Sequence, residues 1–225
     1  TMAFAPSVAP SATGTMTAAV VTQTPIGSTG NSFEDIVLTD ETSGAATVLG
    51  GGDIPVTVPT TANGEILVAI IGREDNFSVT PPAGWTEIDT QVEATDVDTF
   101  AGAWYRVVTD AASEPVTYNF VNNDTGTEEY SYWIGSYSNV DTTNPIDVPA
   151  SWAKLTSAPG GLSTASGITT VTDKTELIAA WFVIAELNVD MPLLPWETRV
   201  NDLQSGTSQR NLNVATKQQA LAGAT

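Results

Sequence analysis

The sequence predicts an all-β protein: a jelly-roll-like antiparallel β-sandwich built from two similar halves, with an extended N-terminal arm. Two observations carry that expectation. From Phe33 onward, short apolar runs alternate with turn signals, which is the pattern of a sandwich or barrel. In addition, two segments a little over a hundred residues apart read as copies of one another, the signature of a duplicated structural unit.

The first copy contains Glu65-Ile-Leu-Val-Ala-Ile-Ile-Gly72, Pro81-Pro-Ala-Gly-Trp-Thr-Glu-Ile88 and Trp104-Tyr-Arg-Val-Val-Thr109. The second contains Glu176-Leu-Ile-Ala-Ala-Trp-Phe-Val183, Leu194-Pro-Trp-Glu-Thr-Arg-Val200 and Leu212-Asn-Val-Ala-Thr-Lys217. Leu67 matches Leu177 (177 − 67 = 110) and Trp85 matches Trp196 (196 − 85 = 111). Val107-Val-Thr109 is set against Val214-Ala-Thr216 (214 − 107 = 107), which implies that a few residues were lost between the landmarks. The first copy runs on through Tyr118-Asn-Phe120 and Tyr130 to Tyr137; the second reaches Thr225 without counterparts for those strands. A half-sandwich with open edges invites pairing with another chain. The expectation is therefore completion in trans, with the N-terminal arm of a neighbour as the candidate strand, unless more polypeptide follows Thr225.

Three regions follow along the chain. Residues 1–31 carry no charge and are rich in Ala, Thr, Ser, Pro and Gly, which reads as an extended arm ordered by contact with another subunit. Phe4, Val8, Met16, Val20, Val21 and Ile26 give it something to bury. Residues 32–150 form the first β half and 151–225 the second, incomplete one. Ile54, Val56 and Val58 alternate with Pro55 and Thr57, and Pro55 and Pro59 confine that strand to an edge or an unpaired stretch. Asn63-Gly64 is a turn leading into 65–72, a strand apolar on both faces. Strands are expected at 101–108, 116–121 and 130–137, the last two joined by Asn122-Asn-Asp-Thr-Gly126. Thr175 to Leu187 has alanines and glutamates that favour a helix. Its match to 65–72 and its Trp181-Phe-Val-Ile184 core decide for strand. Helix is expected below about 10%, well under the usual third.

Composition excludes several functions. Asp and Glu number 26 against seven Lys and Arg, for a net charge of −19. The basic residues Arg73, Arg106, Lys154, Lys174, Arg199, Arg210 and Lys217 are scattered, so nucleic acid is not an expected partner. High like charge suits a protein displayed at high density, and equally a salty habitat. With no Cys and no His there is no disulfide, no Ser-His or Cys-His nucleophile and no histidine-ligated transition metal. The longest apolar run, Leu177 to Ala185, is far below the roughly 20 residues of a spanning helix, and no membrane partner is expected.

No candidate chemistry rises above background. The carboxylate pairs Glu34-Asp35, Asp40-Glu41, Glu74-Asp75, Asp96 with Asp98, and Glu128-Glu129 are what chance adjacency gives in so acidic a chain, and none is singled out as the pair a glycosidase needs. Oxygen ligands for calcium occur in Asp96-Val-Asp98 and Asn122-Asn-Asp124, but neither matches a calcium-loop pattern and solvated charge is the favoured reading. Trp85, Trp104, Trp133, Tyr105, Tyr130, Tyr132 and Tyr137 could line a sugar-binding face; at strand spacing, core packing is favoured. Catalytic, cofactor-binding and metal-binding residues are therefore all expected to be none.

The ordered set of Glu65–Gly72, Pro81-Pro-Ala-Gly-Trp85, Ala103-Trp-Tyr-Arg-Val-Val-Thr109, Tyr137-Ser-Asn-Val-Asp141 and Pro145-Ile-Asp147 resembles a β-sandwich module of tailed-phage virion proteins and secreted bacterial surface proteins, over roughly residues 50 to 225. In that family the motif at 215–225 is normally followed by two further strands. The resemblance implies a non-enzymatic module that decorates, cements or binds, and it transfers no functional residues. The expected function is structural: capsid decoration or cement in a virion, with a tail or fibre component next. The expected partners are further copies of the chain and a major capsid or tail protein. The alternative is a carbohydrate-binding adhesin or secreted surface protein, extracellular and contacting a surface glycan.

Overall fold

The computed structural model describes residues 12–21, 35–93, 99–156, 168–184, 195–205 and 210–224. Among them there is no α-helix; the one helical turn is the 3-10 segment Ala111–Ser113, capped by Asp110. The strands are β1 (Ala12–Val21), β2 (Val37–Val48), β3 (Ile54–Thr57), β4 (Ile66–Glu74), β5 (Val79–Thr80), β6 (Thr86–Glu93), β7 (Thr99–Val107), β8 (Thr117–Asn122) and β9 (Glu128–Ser138). They continue as β10 (Ser151–Thr156), β11 (Thr169–Thr170), β12 (Thr175–Ile184), β13 (Glu197–Ser205), β14 (Arg210–Gln219) and β15 (Gly223–Ala224). The helix-tempting segment is β12, as its apolar run on both faces required.

The chain folds as an antiparallel sandwich around two five-stranded sheets. One has the order β2-β9-β4-β7-β6 and the other β10-β1-β12-β14-β13. Strand β4 is buried on both faces, which explains its lack of polar alternation. Ile66, Val68 and Ile70 face the other large sheet, meeting Ile178, Ala180 and Phe182 of β12 with Leu212 and Val214 of β14. Leu67, Ala69 and Ile71 face a three-stranded cover, β3-β8-β5, through a second core containing Trp85, Phe100, Trp104 and Phe120. Each such side chain contributes about 1.5–3 kcal/mol on full burial. Strand β3 is an edge of its sheet, so the missing N–H of Pro55 costs no ladder bond.

Two tight turns set the entry to the strands. The Trp85 N–H donates to the Pro82 carbonyl at 3.3 Å across Gly84, and the Glu65 N–H donates to the Ala62 carbonyl at 3.2 Å across Gly64. Both glycines have φ near +87°, the left-handed backbone that position i+2 of a type II turn demands. The Glu65 carboxylate then accepts from the Ala62 N–H (2.7 Å), Thr61 Oγ1 (3.0 Å) and Ser136 Oγ (2.7 Å), tying that turn to β9.

The strand registers align the two repeats residue by residue. Thr86, next to Trp85, pairs with Tyr105, which pairs with Val68. Glu197, next to Trp196, pairs with Thr216, which pairs with Ile178. Val68 and Ile178 are separated by 110, the Leu67–Leu177 offset, so the two tryptophans hold equivalent places. Tyr105 and Thr216 are separated by 216 − 105 = 111. The sequence match of Val107 with Val214 is therefore out of register by four; the counterpart of Val107 is Gln218, and no residues were lost between the landmarks. That sequence match rests on two shared residues, Val and Thr, in one short strand, whereas hydrogen bonding imposes the register.

A larger difference concerns the arm. In the first sheet β9 lies between β2 and β4; in the second, β1 lies between β10 and β12. Ile70 pairs with Trp133, and its counterpart Ala180 pairs with Met16. Residues 12–21 thus occupy in the second sheet the place that β9 has in the first, and they do so within the same chain rather than in a neighbour. Residues 1–11 and 22–31 of the arm lie outside the described residues.

Candidate functional site

Arg73 closes β4 with no exposed surface. It stands where an otherwise apolar strand reaches its loop, and three carboxylates from separate segments surround it. Its Nε donates to the Glu74 carbonyl at 2.9 Å and its Nη1 to Asn122 Oδ1. Nη2 lies 3.6 Å from Asp124 Oδ2 and 3.9 Å from Glu128 Oε2, without a hydrogen bond of its own. Oxygens of Asp75, Asp124 and Glu128 lie within 4.8 Å of one another. Asp75 is held in the left-handed region at φ 74°, where its Oδ1 accepts from the Asn76 N–H at 2.6 Å.

Charge balance explains the titration of the group. Burial, the hydrogen bond to Asp124 and the Asp75 charge push the Glu128 carboxyl up to about 7. The same hydrogen bond holds Asp124 below its ordinary value. Glu128 is therefore the member of the pair that takes a proton more readily, because adjacent carboxylates resist ionising together. Burial lowers Arg73, and the three carboxylates oppose that. Arg73 is thus the resident cation of the cluster, occupying the electrostatic role a bound metal ion would have.

A second polar site sits at the joint between the halves. A cleft of about 600 Å³ is lined by Asp35, Val37 and Leu38 from the first half and by Glu176, Glu197, Arg199 and Lys217 from the second. Glu176 occupies the register position of Ile66 and is buried, which pushes its carboxyl up to about 7 against the opposing pull of Thr216 and Arg199. Arg199 donates to Thr216 Oγ1 at 2.9 Å and to Glu197 at 2.5 Å. Lys174 pairs with Asp35 at 3.1 Å, and Gln218 Nε2 donates to the Ile36 carbonyl at 2.5 Å, tying the two halves together beside the cleft. The cleft can hold a polar group against the Glu176 carboxyl and two cations, Arg199 and Lys217.

Of the carboxylate pairs read from the sequence, Glu74-Asp75 and Glu128-Glu129 each send one member into the Arg73 cluster, together with the Asn122-Asn-Asp124 loop. Asp40 accepts from the Thr60 N–H, beyond β3, at 2.7 Å, which holds it low, and Glu41 accepts from Trp133 Nε1 at 2.7 Å. Glu34, Asp96 and Asp98 lie outside the described residues. The aromatics are committed to packing: Trp104, Trp133 and Tyr137 are wholly buried, Trp85, Tyr130 and Tyr132 nearly so, and Tyr105 is half-buried. Trp85 meets Tyr118 and Phe120 edge-on at 5.3 and 5.4 Å. Sequence reasoning missed Arg73 and Glu176 as centres. The available signal was a charged residue inside or bordering an apolar strand.

No protein-family model, curated protein or solved structure matches the chain.

Proposed function

We propose that the chain is a non-enzymatic structural protein of a virus particle, a capsid decoration or cement protein in the first instance and a tail or fibre component in the second. The observation that carries this reading is β1. A strand remote in sequence completes the second sheet, and sheet completion by an added strand is a device of protein assembly. Three further features support it: a net charge of −19 that keeps crowded copies soluble, aromatic side chains committed to cores, and carboxylates neutralised internally by Arg73. The resemblance to tailed-phage sandwich modules points the same way. Major capsid or tail protein and further copies of the chain are the partners in this reading.

Quantitative mass spectrometry of purified particles from a host carrying the gene tests it. The expected result is a fixed ratio of this chain to the major capsid or tail protein. Absence from particles, with recovery in the secreted or cell-surface fraction, overturns it in favour of the adhesin reading. That second reading draws on the cleft around Glu176, Arg199 and Lys217, and a glycan array would show it by selective binding that Arg199→Ala removes.

A further inference from the structure

We infer that β1 is an exchangeable strand, and that the slot between β10 and β12 accepts β1 from a second copy of this chain, linking copies by shared sheet pairing. The inference concerns the isolated chain and stands apart from the virion reading. Its basis is a contrast between two equivalent strands. Strand β9 is held at both ends, through 123–127 to β8 and through 139–150 to β10. Strand β1 fills the same position, but on its C-terminal side residues 22–36 lead first to β2 in the other half. The slot is built by residues 151–156 and 175–184, far along the chain.

Pairing in the slot is a backbone property. β1 runs antiparallel to both neighbours, from Ala12 opposite Ile184 to Val21 opposite Glu176 on one side and from Ala12 opposite Thr156 to Thr17 opposite Ser151 on the other. A second copy offers the same ten residues, so their identity does not select one chain over another. Exchange replaces each hydrogen bond by an identical one, which makes strand swapping a low-cost route between copies. What differs is the tether. Its 36 − 21 = 15 residues reach roughly 50 Å when extended. A connection of that length presents the strand at an effective concentration on the order of millimolar. The slot is therefore filled from within in dilute solution and from a neighbour when copies are crowded.

The absence of cysteine gives a clean background for the test. Thr17 faces Ala179 and Met16 faces Ala180, and one of two consecutive antiparallel pairs is always of the closely spaced kind suited to a disulfide. The double variants T17C/A179C and M16C/A180C are refolded at about 10 µM and oxidised; one of them closes a bond within a single chain. The corresponding single variants, T17C with A179C or M16C with A180C, are then unfolded together, refolded over a range from about 10 µM to about 1 mM and oxidised. The expected product is a mixed disulfide dimer whose share rises at least tenfold across that range. If no mixed dimer forms at about 1 mM although the double variant closes internally, β1 serves its own chain alone and the proposal fails. It fails equally if neither double variant closes, because β1 is then not in the slot.

Discussion

Met16 lies in the sheet position that Trp133 fills in the first repeat: each is paired to the residue at the same point of its central strand, Ala180 for Met16 and Ile70 for Trp133. The same register sets Thr15 in the place of Tyr132 and Val21 in the place of Tyr137. A strand with no aromatic residue thus does the topological work of the most aromatic strand in the chain. Backbone pairing tolerates that exchange; the sequences of the two strands do not reveal it.

Removing residues 1–21 should open the second half and leave the first intact. Loss of β1 leaves two ladder edges unpaired, on β10 and on β12, and the sheet loses the strand between them. Hydrogen exchange of 175–184 should accelerate strongly in the truncated chain, while 66–74 and 128–138 remain protected. Unchanged protection of β12 would show that the strand is dispensable.

Gly72 and Phe182, equivalent positions at the 110-residue offset, touch across the two large sheets. A Cβ on Gly72 would come within 2.2 Å of the Phe182 ring. Gly72→Val should therefore destabilise by about 1–3 kcal/mol through overpacking. Phe182→Leu in the same chain should recover part of the loss, so the two changes are not additive. Urea unfolding of the single and double variants measures both effects.

Two buried carboxyls predict a falling stability between mildly acidic and neutral pH. Glu128 and Glu176 titrate near 7 in the folded chain, against an ordinary value of 4.5. A carboxyl raised on folding contributes stability that is complete below the unfolded value and is lost as pH rises through the folded one. Asp40 and Asp124 are lowered from 3.8 and act only in more acid solution, as pH falls through their folded values. The urea midpoint should drop from pH 5 to pH 8, and Glu176→Gln or Glu128→Gln should each flatten that slope. A slope untouched by both substitutions would refute the assignment.

Arg73→Met should cost about 3–5 kcal/mol, the usual result of removing one partner from a buried ionic cluster. The loss should be smaller at pH 5 than at pH 8, because Glu128 is then protonated and one fewer uncompensated charge remains. Equal losses at the two pH values would mean that packing of the side chain, not charge, is what Arg73 contributes.

Legibility varied with how local each signal is. The double-sided apolar run 66–71 and the Pro-Pro-Ala-Gly-Trp turn are written in consecutive residues, and both were readable with the right partners, Leu177 and Trp196. The counterpart of Val107 was not, because a match of two residues is weaker than the ladder that sets Gln218 there. The Arg73 cluster draws on the end of β4, the 122–126 loop and the start of β9, some 50 residues apart. No spacing rule joins them; the pairing of β4 with β9 does.

The sequence by itself determined the all-β class, the duplication and the absence of cysteine and histidine chemistry, since periodicity, repeat and composition are properties of the chain read in order. Only the tertiary structure decided what completes the second repeat. Residues 12–21 carry no sequence likeness to β9, and their place between β10 and β12 follows from backbone N–H and C=O groups finding partners, a requirement that side-chain identity does not record.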